Sequence, residues 1–197
     1  MRSIYKIVVC SLLTLSITSC EKDLLEKEQY QKEIYLIGAY NRVWTTEVSY
    51  SNEEVKTYFT VSSSGTLALD RDVNVKMKIN EELVDIYNKK YWTVLNEDKY
   101  YKSLDTDLYS IPSLENTVIK HAEGISAEVP VLIKTASLKI DQSYVIPVEI
   151  ESTTGYPISE SGYKMLILLK LKNDYSGSYQ MSAYHLRRRN SEDDSEA

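Results

Sequence analysis

Histidine, cysteine and glycine are scarce in this chain, and each shortage removes a class of function. The two histidines, His121 and His185, have no nucleophile or metal-ligand pattern around them. No Ser–His, Cys–His or His-metal arrangement is therefore legible, and His121 in "KHAEG" reads as a solvated turn residue. With six glycines there is no Gly-rich phosphate loop and no G-x-S-x-G elbow. Strands and helices do not alternate, which excludes a doubly wound sheet, and the length excludes a TIM barrel. Positive charge is also short: 23 Lys and Arg stand against 29 Asp and Glu, a formal −6. That balance argues against nucleic acid, whose binding needs clustered cations.

The two cysteines are Cys10 and Cys20. Arg2 and Lys6 form a basic start, and Ile7 to Ile17 is an apolar core too short to span a bilayer, which needs ~20 apolar residues. Ile17-Thr18-Ser19-Cys20 then resembles the lipobox of bacterial lipoproteins, in which a lipid is attached to the cysteine and the preceding segment is removed. The ordinary alternative is a signal peptide that happens to contain a Cys. Loss of residues 1–19 would take Cys10, two basic residues and no acidic one, leaving 178 residues at a formal −8 with a single terminal Cys. Such a chain makes no internal disulfide and no Cys-based metal site. A lipid gives that lone Cys a purpose, at ~0.8 kcal/mol of membrane affinity per buried CH₂. Residues 20–33, containing "EKDLLEKEQYQKE", read as a charged tether.

From residue 34 the pattern is β. "IYLIGAY" (34–40), "VKTYFTV" (55–61), "VNVKMKI" (73–79), "TVIK" (117–120), "AEVPVLIK" (127–134), "YVIPVEI" (144–150) and "YKMLILLKL" (163–171) are rich in β-branched and aromatic residues. Val73, Val75, Met77 and Ile79 fall on one face, with Asn74, Lys76 and Lys78 on the other. "SSSGT", "LDRD" and "KNDYSG" separate the runs as turns. Pro130 and Pro147 point to edge strands or bulges, because proline cannot donate to a ladder. One segment breaks the period of two: Asn80 can cap, Glu81 and Glu82 suit a first turn, and Leu83, Val84, Ile86 and Tyr87 form an apolar stripe. The expectation is a short crossover helix from Asn80 to about Tyr91 in an all-β, two-sheet sandwich of immunoglobulin type.

The order of motifs carries a resemblance. "LDRDVNVKMKINEELVDIYNKKY", "YKSLDTDLYSIPS", "TVIKHAEGISAEVPVLIK", "SYVIPVEIESTTGY" and "LKNDYSG" follow one another as in the immunoglobulin-like domain of unknown function near the N-terminus of many Bacteroidetes surface lipoproteins. The matched positions are Asp70 and Asp72, Tyr87-Asn88, Leu104 to Tyr109 without the family's usual Pro, and Tyr144 with Pro147. The resemblance covers roughly residues 34–173 and implies a part in glycan capture, at the outer membrane and exposed at the cell surface. Asn173, Tyr175, Gly177 and Tyr179 match the family's opening of a second β domain; residues 174–197 read as a polar tail or the start of that domain.

Chemistry-bearing residues are few. The aspartates of "DRD" and "LDTDLY" match no EF-hand loop and are ordinary turn formers. No cofactor and no metal are expected, and no carboxylate pair is legible as a glycosidase site. Tyrosine is the exception in quantity: seventeen, beside two Trp and one Phe. Aromatic faces stack on sugar C–H surfaces, although tyrosine also suits half-buried strands. Tyr87, Tyr109 and Tyr144 sit at family positions and read as structural. Trp92, Tyr100 and Tyr101 lie in the polar "YWTVLNEDKYY" and are the first candidates for a glycan platform, with Trp44 in "NRVWTTE" beside them. The leading expectation is a non-enzymatic lipoprotein supporting polysaccharide or oligosaccharide binding, with partner proteins of a glycan-uptake complex. The alternative is a spacer or fimbria-like adhesion module acting through sheet edges.

Overall fold

The computed structural model describes residues 27–173, apart from Asn52 and Thr93. Residues 1–26, including Cys20, and the region 174–197, including His185, lie outside the described residues. Among the described residues ten strands form two sheets: β1 Ile34–Leu36, β2 Val43–Ser49, β3 Glu54–Ser63, β4 Val73–Ile79, β5 Lys102–Ser103, β6 Tyr109–Ser110, β7 Thr117–Ile119, β8 Ser126–Lys134, β9 Tyr144–Thr153 and β10 Lys164–Lys172. One sheet has the order β1-β3-β8-β6 and the other β2-β10-β9-β4-β7, with β5 also on β9. The expected two-sheet β-sandwich is the fold.

Alternation builds its core. Val73, Val75 and Met77 of β4, Ile146, Val148 and Ile150 of β9 and Met165, Ile167 and Leu169 of β10 turn inward from the second sheet. Phe59 and Val61 of β3 and Val129, Val131 and Ile133 of β8 meet them from the first, all essentially inaccessible to water. Burying each such side chain contributes about 1.5–3 kcal/mol, so these faces set the register. Lys76 and Lys78 point outward and pair with Glu151 and Glu149 of β9.

Two features, β2 and Pro147, depart from the sequence reading, and the helix follows it. Val43–Ser49 is a full strand, lying parallel to β10 from Val43↔Leu166 to Ser49↔Lys172 at the sheet edge. The helix, α1, spans Glu82–Tyr91, with Asn80 Oδ1 accepting the Glu82 N–H at 3.2 Å. It leaves from β4 and returns to β5, and both strands flank β9, so the excursion begins and ends on one sheet. The chain changes sheets afterwards, between β5 and β6. Pro147 lies in a central strand rather than at an edge or bulge. Its carbonyl accepts the Asn80 N–H at 3.1 Å, so its nitrogen faces the same side, where β4 has just ended. The missing donor therefore costs no ladder bond. Pro130 sits on a stretch of β8 that β6, confined to Tyr109 and Ser110, does not reach.

Candidate functional site at the outer face of α1

α1 covers the outside of the second sheet. Leu83 and Val84 pack on Val145 of β9 and Leu166 of β10, with Val43, Tyr87, Tyr101 and Leu168 around them. This is a second apolar cluster, separate from the sandwich core. Its polar centre is Asn88, 5% exposed. Asn88 Nδ2 donates to the Tyr101 carbonyl and the Tyr101 N–H donates to Asn88 Oδ1, both at 2.9 Å. The amide thus plays the part of a strand neighbour and holds residue 101 against the helix.

That clamp orders a row of rings. Tyr101 stacks on Tyr87 with centroids 5.2 Å apart and planes 11° apart. Tyr87 meets Tyr91 at 4.4 Å and 34°. Burial and the neighbouring phenols push the Tyr87 hydroxyl up to about 12, so it is a neutral donor and acceptor at physiological pH. Beside Tyr87 and Tyr91 opens a shallow groove with an enclosed volume of about 40 Å³. Leu83, Met165 and Leu166 are the buried part of its lining, and Ile86 and Tyr91, each about half exposed, stand at its rim. Arg42, Lys90 and Lys164 complete it. No Asp or Glu is among the lining residues.

The four aromatic candidates divide. Trp92, Tyr100 and Tyr101, expected to face solvent, are all half-buried. The Trp92 Nε1 is buried without a hydrogen-bond partner, and Lys99 Nζ stands 5.8 Å from its ring centroid. Tyr101 gives one face to Tyr87. Trp44 lies on the edge strand β2, 38% exposed, with its ring over Gly38. A Cβ at Gly38 would lie 2.5 Å from Trp44 Cε3, and its φ of +89° also calls for glycine. Tyr109 is structural as read: half-buried, with its hydroxyl pushed up to about 12 chiefly by burial. His121 is fixed in its turn by Asp72, whose carboxylate accepts from the His121 backbone N–H at 3.0 Å and lies 2.7 Å from Nδ1. Sequence reasoning missed Arg42, Lys90, Lys164 and Tyr91, because the groove joins a loop, a helix and a strand far apart in the chain.

Residues 30–157 match a family model described as an N-terminal domain, and residues 163–197 match one described as a C-terminal domain. The chain belongs to that N-terminal-domain family. Solved structures with the same sandwich come from Bacteroides. A multidomain protein including DUF1735 from Bacteroides ovatus is 20% identical, with TM-score 0.55, covering 70% of this chain and 43% of that one. An auxiliary nutrient binding protein from Bacteroides thetaiotaomicron is 16% identical, with TM-score 0.56 and coverages of 71% and 47%. EndoBT-3987 of Bacteroides thetaiotaomicron, with Man5GlcNAc product, is 20% identical, with TM-score 0.51 and coverages of 70% and 30%. This chain therefore spans less than half of each. No curated protein matches. The family resemblance read from the ordered motifs thus meets a family match and a shared fold. The fold does not follow the boundary between the two family models: β10, which opens the C-terminal match, lies between β2 and β9 and completes the second sheet.

Proposed function

We propose that the chain is a lipid-anchored protein of the outer-membrane surface that binds glycan without cleaving it, within a polysaccharide-utilisation system. The groove beside α1 carries this reading. It offers a stacking ring in Tyr91, a neutral phenol in Tyr87 and an apolar lining, the mixture that sugar surfaces demand. Glycoside hydrolysis needs two carboxylates across the scissile bond, and no described residue lining the groove supplies one. Trp92 and Tyr100, following the end of α1, are proposed to extend the surface, with Tyr101 supporting it from behind. A nutrient binding protein among the structures of like fold is in keeping with the reading. The anchor is Cys20, reached through the charged stretch before β1.

A glycan array probed with the full chain tests the binding, and incubation of any hit with the protein tests its survival intact. Binding of at least one oligosaccharide class, lost in Tyr91→Ala, with no released product, is the expected result. A blank array from folded protein, or release of shortened sugars, refutes the proposal. For the anchor, Cys20→Ala should leave the precursor uncleaved and move it out of the detergent phase; unchanged partitioning refutes lipidation.

A further inference from the structure

Outside the groove, most cations of the second sheet and its turns are paired with carboxylates among the described residues, although Lys102 of β5 is not. Lys76 and Lys78 pair with Glu151 and Glu149, Lys120 with Glu123, and Lys170 and Lys172 with Glu47. Arg42, Lys90 and Lys164 pair with no carboxylate among the described residues. Lys90 Nζ rests 5.2 Å from the Tyr91 ring centroid and Lys164 Nζ 4.8 Å from that of Tyr163. Rings hold these amines in place without neutralising them, since a cation–π contact leaves the charge free to meet an anion. Three uncompensated positive charges over a partly apolar hollow focus a positive potential, and they do so in a chain of formal charge −6.

The backbone supplies a second, independent observation. Arg42 is the one non-glycine residue with positive φ among the described residues, at +63°. The left-handed region is unfavourable for a side-chain-bearing residue, and such outliers persist only where the surroundings enforce them. Here the Arg42 N–H donates to the Ala39 carbonyl at 2.8 Å, and the Arg42 carbonyl accepts from the Leu166 N–H at 2.8 Å. Glycine or asparagine would sit in this conformation at lower cost. The fold instead holds a guanidinium there, at the groove. Guanidinium presents a planar fork of donors that matches the oxygens of a carboxylate or sulfate two at a time.

Building on the glycan reading, we propose that the groove selects acidic saccharides, sugars carrying carboxylate or sulfate groups. The sugar ring lies on Tyr91, and its anionic group is received by Arg42, Lys90 and Lys164. Neutral sugars of the same size meet the same ring but leave the three cations unused.

Calorimetry on the full chain with three oligosaccharides of equal length tests this. The probes are an oligogalacturonate, a sulfated chondroitin fragment and a neutral xylo-oligosaccharide. At least one acidic probe should bind about tenfold or more tighter than the neutral one. That advantage should shrink as salt is raised well above 0.1 M, where charges are screened beyond about 10 Å. The two acidic arms tell carboxylate from sulfate, and success of either supports the proposal. Arg42→Gly keeps the backbone conformation and removes the fork. It, and Lys90→Gln with Lys164→Gln, should each lower acidic-probe affinity about tenfold and leave neutral-probe affinity unchanged. Lys102→Gln, outside the groove, should change neither. Equal, salt-insensitive binding of acidic and neutral probes overturns the charge selection while the glycan reading stands. Binding of no sugar overturns both. Acidic binding that survives in the Arg42 and double-lysine variants places the ligand elsewhere and overturns the assignment of the groove.

Discussion

Replacing Asn88 by alanine removes both hydrogen bonds that hold residue 101 to α1, and the structure sets the size of the effect. The amide is 5% exposed and makes two 2.9 Å bonds to one peptide unit's neighbourhood, the N–H and C=O of Tyr101. Without it, those two groups keep their partly buried positions and lose their partners, at about 1–3 kcal/mol each. Some water will reach them, so the expected loss is roughly 2–4 kcal/mol. For a domain of this size that lowers Tm by about 5–15 °C. The cost should concentrate locally, since Tyr101 also supports the Tyr87 stack: amide exchange should quicken from α1 to β5 more than in β3, β8 and β10. Asn88→Asp sharpens the test. It keeps the acceptor for the Tyr101 N–H but turns a carboxylate oxygen toward the Tyr101 carbonyl, so the charged form is disfavoured in the fold. A folded-state pKa raised above the unfolded value near 3.9 gives stability that is present at low pH and lost as pH rises through the folded value. Asn88→Asp should therefore approach wild type near pH 4 and fall to the alanine variant or below near pH 7. Urea denaturation at the two pH values measures this. A Tm within about 3 °C of wild type for the alanine variant, with exchange at residue 101 unchanged, would refute the clamp.

Further predictions follow from single contacts. Gly38→Ala adds a methyl 2.5 Å from the Trp44 ring at φ +89°, whereas Gly124→Ala, at φ +135°, meets nothing within 4 Å; thermal melts should show Gly38→Ala as the costlier by about 1–2 kcal/mol, and equal losses would mean that Trp44 does not pack there. Trp92→Ala should lose roughly 3 kcal/mol in urea titrations. Trp92→Phe should stay within about 1 kcal/mol of wild type, because it also deletes the unpartnered indole N–H. The Asp72 carboxyl is held below its ordinary range, first by its side-chain hydrogen bond to His121. A depressed carboxylate contributes stability above its unfolded value, near 3.9, and loses it as pH falls through the folded value. Asp72→Asn should therefore flatten acid denaturation below about pH 4, and an unchanged acid limb would remove Asp72 from the account.

The sandwich was legible because alternation is a local signal. Val73 to Ile79 announce both faces of β4 without reference to any other strand. β2 was not, since Thr45, Thr46 and Glu47 interrupt its apolar residues and an edge strand needs only one buried contact row; its partner β10 lies more than a hundred residues on and runs parallel. Pro147 misled for a related reason: proline forbids a donor on one side only, and which side faces a partner depends on where β4 stops. The helix stripe was read correctly at Leu83, Val84 and Tyr87, but Ile86 is 52% exposed at the groove. Asn88 looked like a family signature and proved to be a buried bracket. The tyrosine excess pointed to the neighbourhood of the groove. The cations did not declare themselves, because the strain at Arg42 is a backbone angle and its neighbours come from segments that only folding brings together.

The excursion between β4 and β5 has a consequence for how such a protein can change. Both of its ends are secured to β9, at Ile79↔Val148 and Ser103↔Val145, so its feet stand side by side however the intervening chain runs. Lengthening a closed loop of this kind is cheap, about 0.6 kcal/mol for each doubling. Insertions, deletions and exchanged side chains at the exposed positions between those feet can thus accumulate while the register of the sheets stays fixed, provided the buried Leu83, Val84 and Asn88 are kept. The segment behaves as an interchangeable cassette on an invariant frame. A library randomised at the exposed positions within residues 82–101, with Leu83, Val84, Asn88, Trp92, Tyr101 and the strands untouched, should yield many folded members that differ in what they hold.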